Sequence, residues 1–189
     1  GVPFYSISGS EFIEMFVEKM RSKKMGDPLD ETVDIGPQAR TDLRDELHRQ
    51  VIQSIEKGAV CLLGGEIPEG RGAFYPATVL SKVAKGMPVY DEETFGPVAA
   101  IIGVKNEKQA LQVANDSAFG LGAAVFTRDR GRGERIAANE LEAGNCFVNA
   151  FVKSDPRLPF GGIKESGYGR ELSHFGLKEF VNIKTVFIQ

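Results

Sequence analysis

The alternation of short apolar runs with amphipathic stretches beyond Val98 most limits the folds open to this chain. Ala99 to Val104, Gly122 to Thr127 and Cys146 to Asn149 read as strands, and Glu107 to Asn115 and Gly133 to Asn139 read as the helices between them. Strand, helix, strand, helix, strand at this short spacing favours parallel pairing with crossover helices. The strand candidates are continuously apolar rather than alternating, which suits a sheet covered by helices on both faces. The expected fold class is α/β with a mostly parallel sheet.

The first half carries two helical patterns. Phe12, Ile13, Phe16, Val17 and Met20 fall on one helical face, with a start near Ser8 or Ser10. Ser8 and Glu11 have capping-box spacing, and Gly26-Asp27-Pro28 is the expected stop. A second helix is expected from Thr41 to Lys57, where Leu43, Leu47, Val51 and Ile55 repeat and Gly58 stands ready as a left-handed cap. Val60 to Leu63 and Tyr75 to Leu80 read as strands. Near the end, Ser166 to His174 and Phe175 to Phe180 look helical, and Ile183 to Ile188 alternates like a strand. A last strand with nothing after it has an open edge, and pairing with another subunit would cover it. No repeat or linker interrupts the chain, so residues 1–182 are expected to form one domain, with 183–189 as an oligomerisation strand.

Composition narrows the function classes. Of 189 residues 42% are hydrophobic and 26% charged, enough apolar material for a substantial core. A net charge of -3 gives no reason to expect nucleic acid or an anionic membrane as partner. No apolar run approaches the ~20 residues that span a bilayer, and Gly1 to Tyr5 lacks the pattern of a signal peptide, so the chain reads as cytoplasmic. Cys61 and Cys146 lie in apolar runs without the neighbouring cation that activates a thiol, although a disulfide between them stays open. His48 and His174 have no partner at ligand spacing, so no metal site is expected.

Two motifs carry chemistry. In Asp91-Glu92-Glu93-Thr94-Phe95-Gly96-Pro97, acids beside a Gly-Pro turn suit a solvated loop. A carboxylate next to an aromatic ring also suits a sugar, accepting its hydroxyls while the ring covers it. The second motif runs from Leu158 to Glu171, with Gly161-Gly162 allowing close backbone approach. A glycine turn leading into a helix would look the same, and neither G-x-x-x-x-G-K-[ST] nor G-x-G-x-x-G is present.

In this order, the string from Glu92 to Val98 and Pro159-Phe160-Gly161-Gly162-Ile163-Lys164 followed by Ser166-Gly167-Tyr168-Gly169-Arg170-Glu171 resemble the later part of the NAD(P)-dependent aldehyde dehydrogenases. Phe12 to Met20, Met25-Gly26-Asp27-Pro28 and Asp34-Ile35-Gly36-Pro37 extend the resemblance, which covers nearly everything from Ser10 to Ile188. Asn149 to Phe160 and Glu179 to Val186 are similar to the bacterial succinate-semialdehyde dehydrogenases. The resemblance implies that Glu93 and Phe95 hold the nicotinamide ribose and that Phe160 is a wall of the substrate pocket. It makes Ser154, with Arg157, the candidate donors to a distal substrate carboxylate.

In this family a cysteine thiolate attacks the aldehyde, hydride passes to NAD or NADP, and water releases the acid. That cysteine and the dinucleotide-binding half would lie upstream of Gly1. No catalytic residue is therefore assigned, and the isolated chain is expected to be inactive and to bind NAD or NADP weakly or not at all. The alternatives are a non-catalytic scaffold, or one chain of a split enzyme. A homo-oligomer is the expected assembly. The surface on which the missing half would dock should drive self-association. Light scattering at high concentration is expected to find species larger than a monomer, and a clean monomer would contradict this.

Overall fold

A computed structural model describes residues 9–189, which separate into two compact units at residues 104 and 105. The chain is α/β, but among the described residues its strands form three small sheets rather than one.

The unit of residues 9–104 begins with α1 (Gly9–Arg21), and Phe12, Ile13, Phe16, Val17 and Met20 are its partly or fully buried face, as their spacing required. The proposed Ser8 cap lies outside the described residues. The helix stops before Gly26-Asp27-Pro28. The Lys24 backbone N–H is taken by the Asp34 carboxylate at 3.0 Å, and its carbonyl accepts the N–H groups of Asp34 and Ile35. Those bonds compete with a further helical turn and win.

Helix α2 (Thr41–Glu56) ends as expected: Gly58 has φ +107, and the N–H groups of Gly58 and Ala59 cap the carbonyls of Ile55 and Ser54. Its buried face is rotated from the apolar stripe, however. Leu47, Gln50, Val51 and Ser54 are buried, while Leu43 is 42% exposed. Two polar residues are inside because both are hydrogen-bonded there.

Strands β1 (Val60–Leu63) and β2 (Thr78–Ser81) pair antiparallel, and β2 pairs parallel with β3 (Val98–Ala100). Only β2 is buried along its whole length; β3, one of the strands expected to be covered on both faces, is half-buried. Between them the short helix α3 (Pro88–Asp91) packs on α2. Leu47, Val51, Tyr75, Leu80, Met87 and Val89 form the core.

In the unit Lys105–Gln189, α4 (Glu107–Asn115) is capped by the Asn106 side chain, which accepts from Gln109 N–H at 2.9 Å. Two-residue strand β4 (Phe119–Gly120) follows, then β5 (Gly122–Val125), α5 (Arg130–Asn139) and β6 (Asn145–Val148). The last three make the expected parallel unit, Gly122 facing Asn145 and Val125 facing Val148. The Asp129 side chain caps Arg132 N–H and starts α5 three residues earlier than the sequence reading. Strand β7 (Ile163–Lys164) returns antiparallel to β4.

One C-terminal expectation is corrected. Only α6 (Ser173–Lys178) is helical; residues 166–172 are not, because Gly167, Gly169 and Leu172 have positive φ and Glu171 bridges Phe160 instead. Residues 183–189 are exposed and pair with no strand among the described residues.

Ser54 ties α2 to α3 by hydrogen bonds: fully buried, it donates to the Gln50 carbonyl at 2.7 Å and accepts from Val89 N–H at 3.1 Å. Ser54→Ala leaves that N–H buried and unpaired, and is expected to cost about 1–3 kcal/mol. Urea unfolding should show it as a lowered midpoint; an unchanged midpoint would mean the bond contributes nothing.

Candidate functional site

The acidic turn between α3 and β3 is fastened at both ends. On its upstream side Glu92 N–H caps the Pro88 carbonyl at 2.8 Å, and the Asp91 carboxylate accepts Gly86 N–H at 2.9 Å. Downstream, Thr78 N–H of β2 donates to the Pro97 carbonyl at 2.9 Å, and the parallel ladder begins at Val98. Gly96 is required by packing: a Cβ there would strike the Leu47 side chain and come within 3.0 Å of Gln38 Nε2. A glycine at this position lets the turn lie against α2.

Within the turn two neighbouring carboxylates have different surroundings. Glu92 accepts from Arg49 Nη2 at 3.1 Å and from Gln50 Nε2 at 3.0 Å. Arg49 also binds Glu46 and Gln53, and Glu46 with Glu92 raises its pKa above the ordinary guanidinium value. Glu93 is exposed, and its carboxylate has no hydrogen bond or ion pair with the described residues; only its backbone carbonyl is held, by Gln50 Nε2 at 3.1 Å. Phe95 is 77% exposed. A carboxylate without a protein partner and an open ring two residues apart are groups that can accept a sugar's hydroxyls and cover it.

Ser154, Arg157 and Phe160 share one loop of the other unit. Its base is set by Asn149, at φ +53, whose side chain accepts from Thr127 N–H at 2.8 Å and donates to Thr127 O at 2.9 Å. That side chain thereby continues the β5–β6 ladder by one step beyond Val148. Phe160 is half-buried and paired with Glu171 through two backbone bonds, 2.9 and 2.8 Å. Glycines are needed here because backbone meets backbone. A Cβ on Gly144 would run into the Gly161 carbonyl, and one on Gly161 would reach the Gly169 carbonyl at 2.7 Å. Asn145 Nδ2 and Arg170 Nη1 hold the carbonyls of Gly161 and Gly162 at 2.9 Å each.

The exposed end of this loop holds the polar groups. The Ser154 hydroxyl is exposed, with no hydrogen bond to the described residues. Arg157 binds Asp155 through Nε at 2.9 Å and Nη2 at 2.7 Å, and adds its backbone N–H at 3.0 Å. Those bonds hold the Asp155 carboxyl well below the usual carboxylate range. They leave Arg157 Nη1 for another acceptor, at a side chain 86% exposed.

Other titratable groups are structural. Tyr75, fully buried with its hydroxyl 3.1 Å from His48 Nδ1, is pushed up to about 12 by burial. Cys61 and Cys146 are free thiols, and burial pushes Cys146 up, away from the thiolate a nucleophile needs. Among the described residues, no group of three or more His, Cys, Asp or Glu could hold a metal ion. Gln50 and Asn149 escaped the sequence reading. Gln50 sits among polar helix residues and carries no motif, whereas an Asn just after an apolar strand is a known signal for a left-handed turn.

Comparison with known proteins places these motifs in a lineage. The model of the aldehyde dehydrogenase family matches residues 7–186. The succinate semialdehyde dehydrogenase [NAD(P)+] of Escherichia coli is 53% identical over 178 residues, covering 94% of this chain and 38% of that protein. An aldehyde dehydrogenase of Paenarthrobacter nicotinovorans is 49% identical, with 93% of this chain and 38% of that protein covered. The structure is similar to a succinic semialdehyde dehydrogenase of Streptococcus pyogenes solved with NADP+, at a TM-score of 0.90 and 37% identity, over 95% of this chain and 39% of that one. The chain thus spans about two fifths of the length of these relatives. It belongs to the aldehyde dehydrogenase family.

Proposed function

We propose that this chain is the downstream part of an NAD(P)-dependent dehydrogenase of succinate semialdehyde, carrying groups that position the reactants and not the one that attacks. The observation that supports this best is the acidic turn, where Glu92 is tied down and Glu93 is left free two residues from the open ring of Phe95. In this reading Glu93 accepts the nicotinamide ribose hydroxyls and Phe95 covers the sugar. Bound there, the nicotinamide would supply a hydride acceptor.

The second loop takes the substrate side. Phe160 is a pocket wall. Ser154, whose hydroxyl is unengaged, and Arg157, which keeps Nη1 for another acceptor, would meet the far carboxylate of a dicarboxylic semialdehyde. Two of the relatives compared, from Escherichia coli and Streptococcus pyogenes, are named for that aldehyde, which supports the choice of substrate. The nucleophile and the adenine-binding half belong to a preceding segment. Alone, this chain therefore keeps only the nicotinamide-ribose part of the contacts and binds the dinucleotide weakly, and positioning without covalent catalysis gives no turnover. A cytoplasmic enzyme, with neither nucleic acid nor membrane as partner, completes the reading.

A second reading, oligomerisation, draws on residues 183–189. Ile183, Val186, Phe187 and Ile188 are 71–87% exposed and have no ladder partner among the described residues. Such an apolar segment suits a strand added to another subunit's sheet, with residues 1–182 contributing to the catalytic domain. The purified chain mixed with succinate semialdehyde and either NAD or NADP is expected to produce no reduced nicotinamide above the protein-free rate. Steady turnover would overturn the claim that the nucleophile lies elsewhere.

A further inference from the structure

Glu92 and Glu93 are neighbours in sequence, yet one carboxylate is locked and the other is free. The difference originates in α2. Gln50, only 5% exposed, directs its side-chain amide to two acceptors at once: Glu92 Oε2 at 3.0 Å and the Glu93 carbonyl at 3.1 Å. An amide nitrogen has two hydrogens, so both bonds can form together.

We propose that Gln50 is the positioning residue for Glu93, an inference that rests on the ribose reading of Glu93 given above. Peptide groups are planar, so holding the Glu93 carbonyl fixes the whole plane that follows its Cα. Upstream, Glu92 is anchored on both sides of its Cα: its N–H caps Pro88 and its side chain is gripped by Gln50 and Arg49. With Glu92 anchored and the plane after Glu93 fixed, the direction in which the Glu93 side chain leaves the backbone is constrained by a residue that never touches the ligand. Gln50 itself is held in a helix whose neighbouring turns, at Leu47, Val51 and Ser54, are in the core.

This role differs from a contribution to stability. The acceptors of Gln50 lie on an exposed turn, where water replaces a lost donor at small cost. Gln50→Met keeps the length of the side chain and its burial but removes both donors. The turn should then loosen while the fold persists.

The test uses the isotopically labelled chain as wild type, Gln50→Met and Glu93→Gln, with backbone relaxation and nicotinamide mononucleotide as the probe. In Gln50→Met the order parameters of Glu93 and Thr94 are expected to fall from about 0.85 towards about 0.6, while those of Leu47 and Ser54 hold. Its response to the mononucleotide at Glu93 and Phe95 should need about three to ten times more ligand. Glu93→Gln should weaken the same response and leave the turn ordered. If Gln50→Met keeps both the order and the response while Glu93→Gln loses the response, the positioning role is wrong and the ribose reading stands. If the mononucleotide shifts neither amide in the wild type, the ribose reading fails and the proposal goes with it. Should Gln50→Met not fold, Glu92→Ala breaks the bridge from its exposed end, and a turn that stays rigid there counts against the proposal.

Discussion

Two polar side chains on the buried face of α2 hold α3 and the acidic turn against that helix. Ser54 accepts the Val89 N–H and so fixes the start of α3, and Gln50 fixes the turn that α3 leads into. Apolar packing of Leu47 and Val51 brings the helices together but is non-directional. Without the two hydrogen-bonding residues the same core could form with α3 shifted along α2. Directional bonds at buried sites choose one arrangement among those that burial alone would tolerate.

That choice is what the sequence shows least clearly. The elements themselves were largely legible: α1 from its apolar face, α2 from its stripe and glycine cap, and the β5–α5–β6 unit from its alternation. Their burial was less so. A four-residue apolar repeat pointed to Leu43 as core, yet Leu43 is largely exposed and Gln50 and Ser54 are inside. Periodicity ranks residues by hydrophobicity, and so it cannot see a buried polar group whose partner lies about forty positions away. The same limit explains the misread C-terminal stretch. Residues 166–172 have helical composition, but positive φ at Gly167, Gly169 and Leu172 and the bridge from Glu171 to Phe160 decide the outcome.

The candidate site was legible in a different way, through short strings whose glycines and charges resemble a family. Those strings nominated Glu93, Phe95, Ser154, Arg157 and Phe160 without saying which groups are engaged. Side-chain contacts divide them: Arg157 is partly committed to Asp155, whereas Ser154 and Glu93 have free oxygen atoms. Such commitments depend on rotamers and on neighbours distant in sequence, so no local pattern announces them.

A group that must bind a ligand has to be left without a partner in the protein, and an unpartnered group stabilises nothing. The cost of presenting it in one direction therefore falls on its neighbours. In the acidic turn that burden rests on Glu92, Arg49 and Gln50, and on the absent side chain of Gly96. In the second loop it rests on Asn149, Asn145, Arg170 and three glycines in backbone contact. The two loops reach the same result by different chemistry, one through a charged network and the other through carbonyls held by side-chain amides and a guanidinium. In both, the residues that hold the backbone outnumber those offered to a ligand. That ratio is expected of a site whose own polar groups must stay solvated until the ligand arrives, because preorganisation has to be supplied by bonds the ligand does not break.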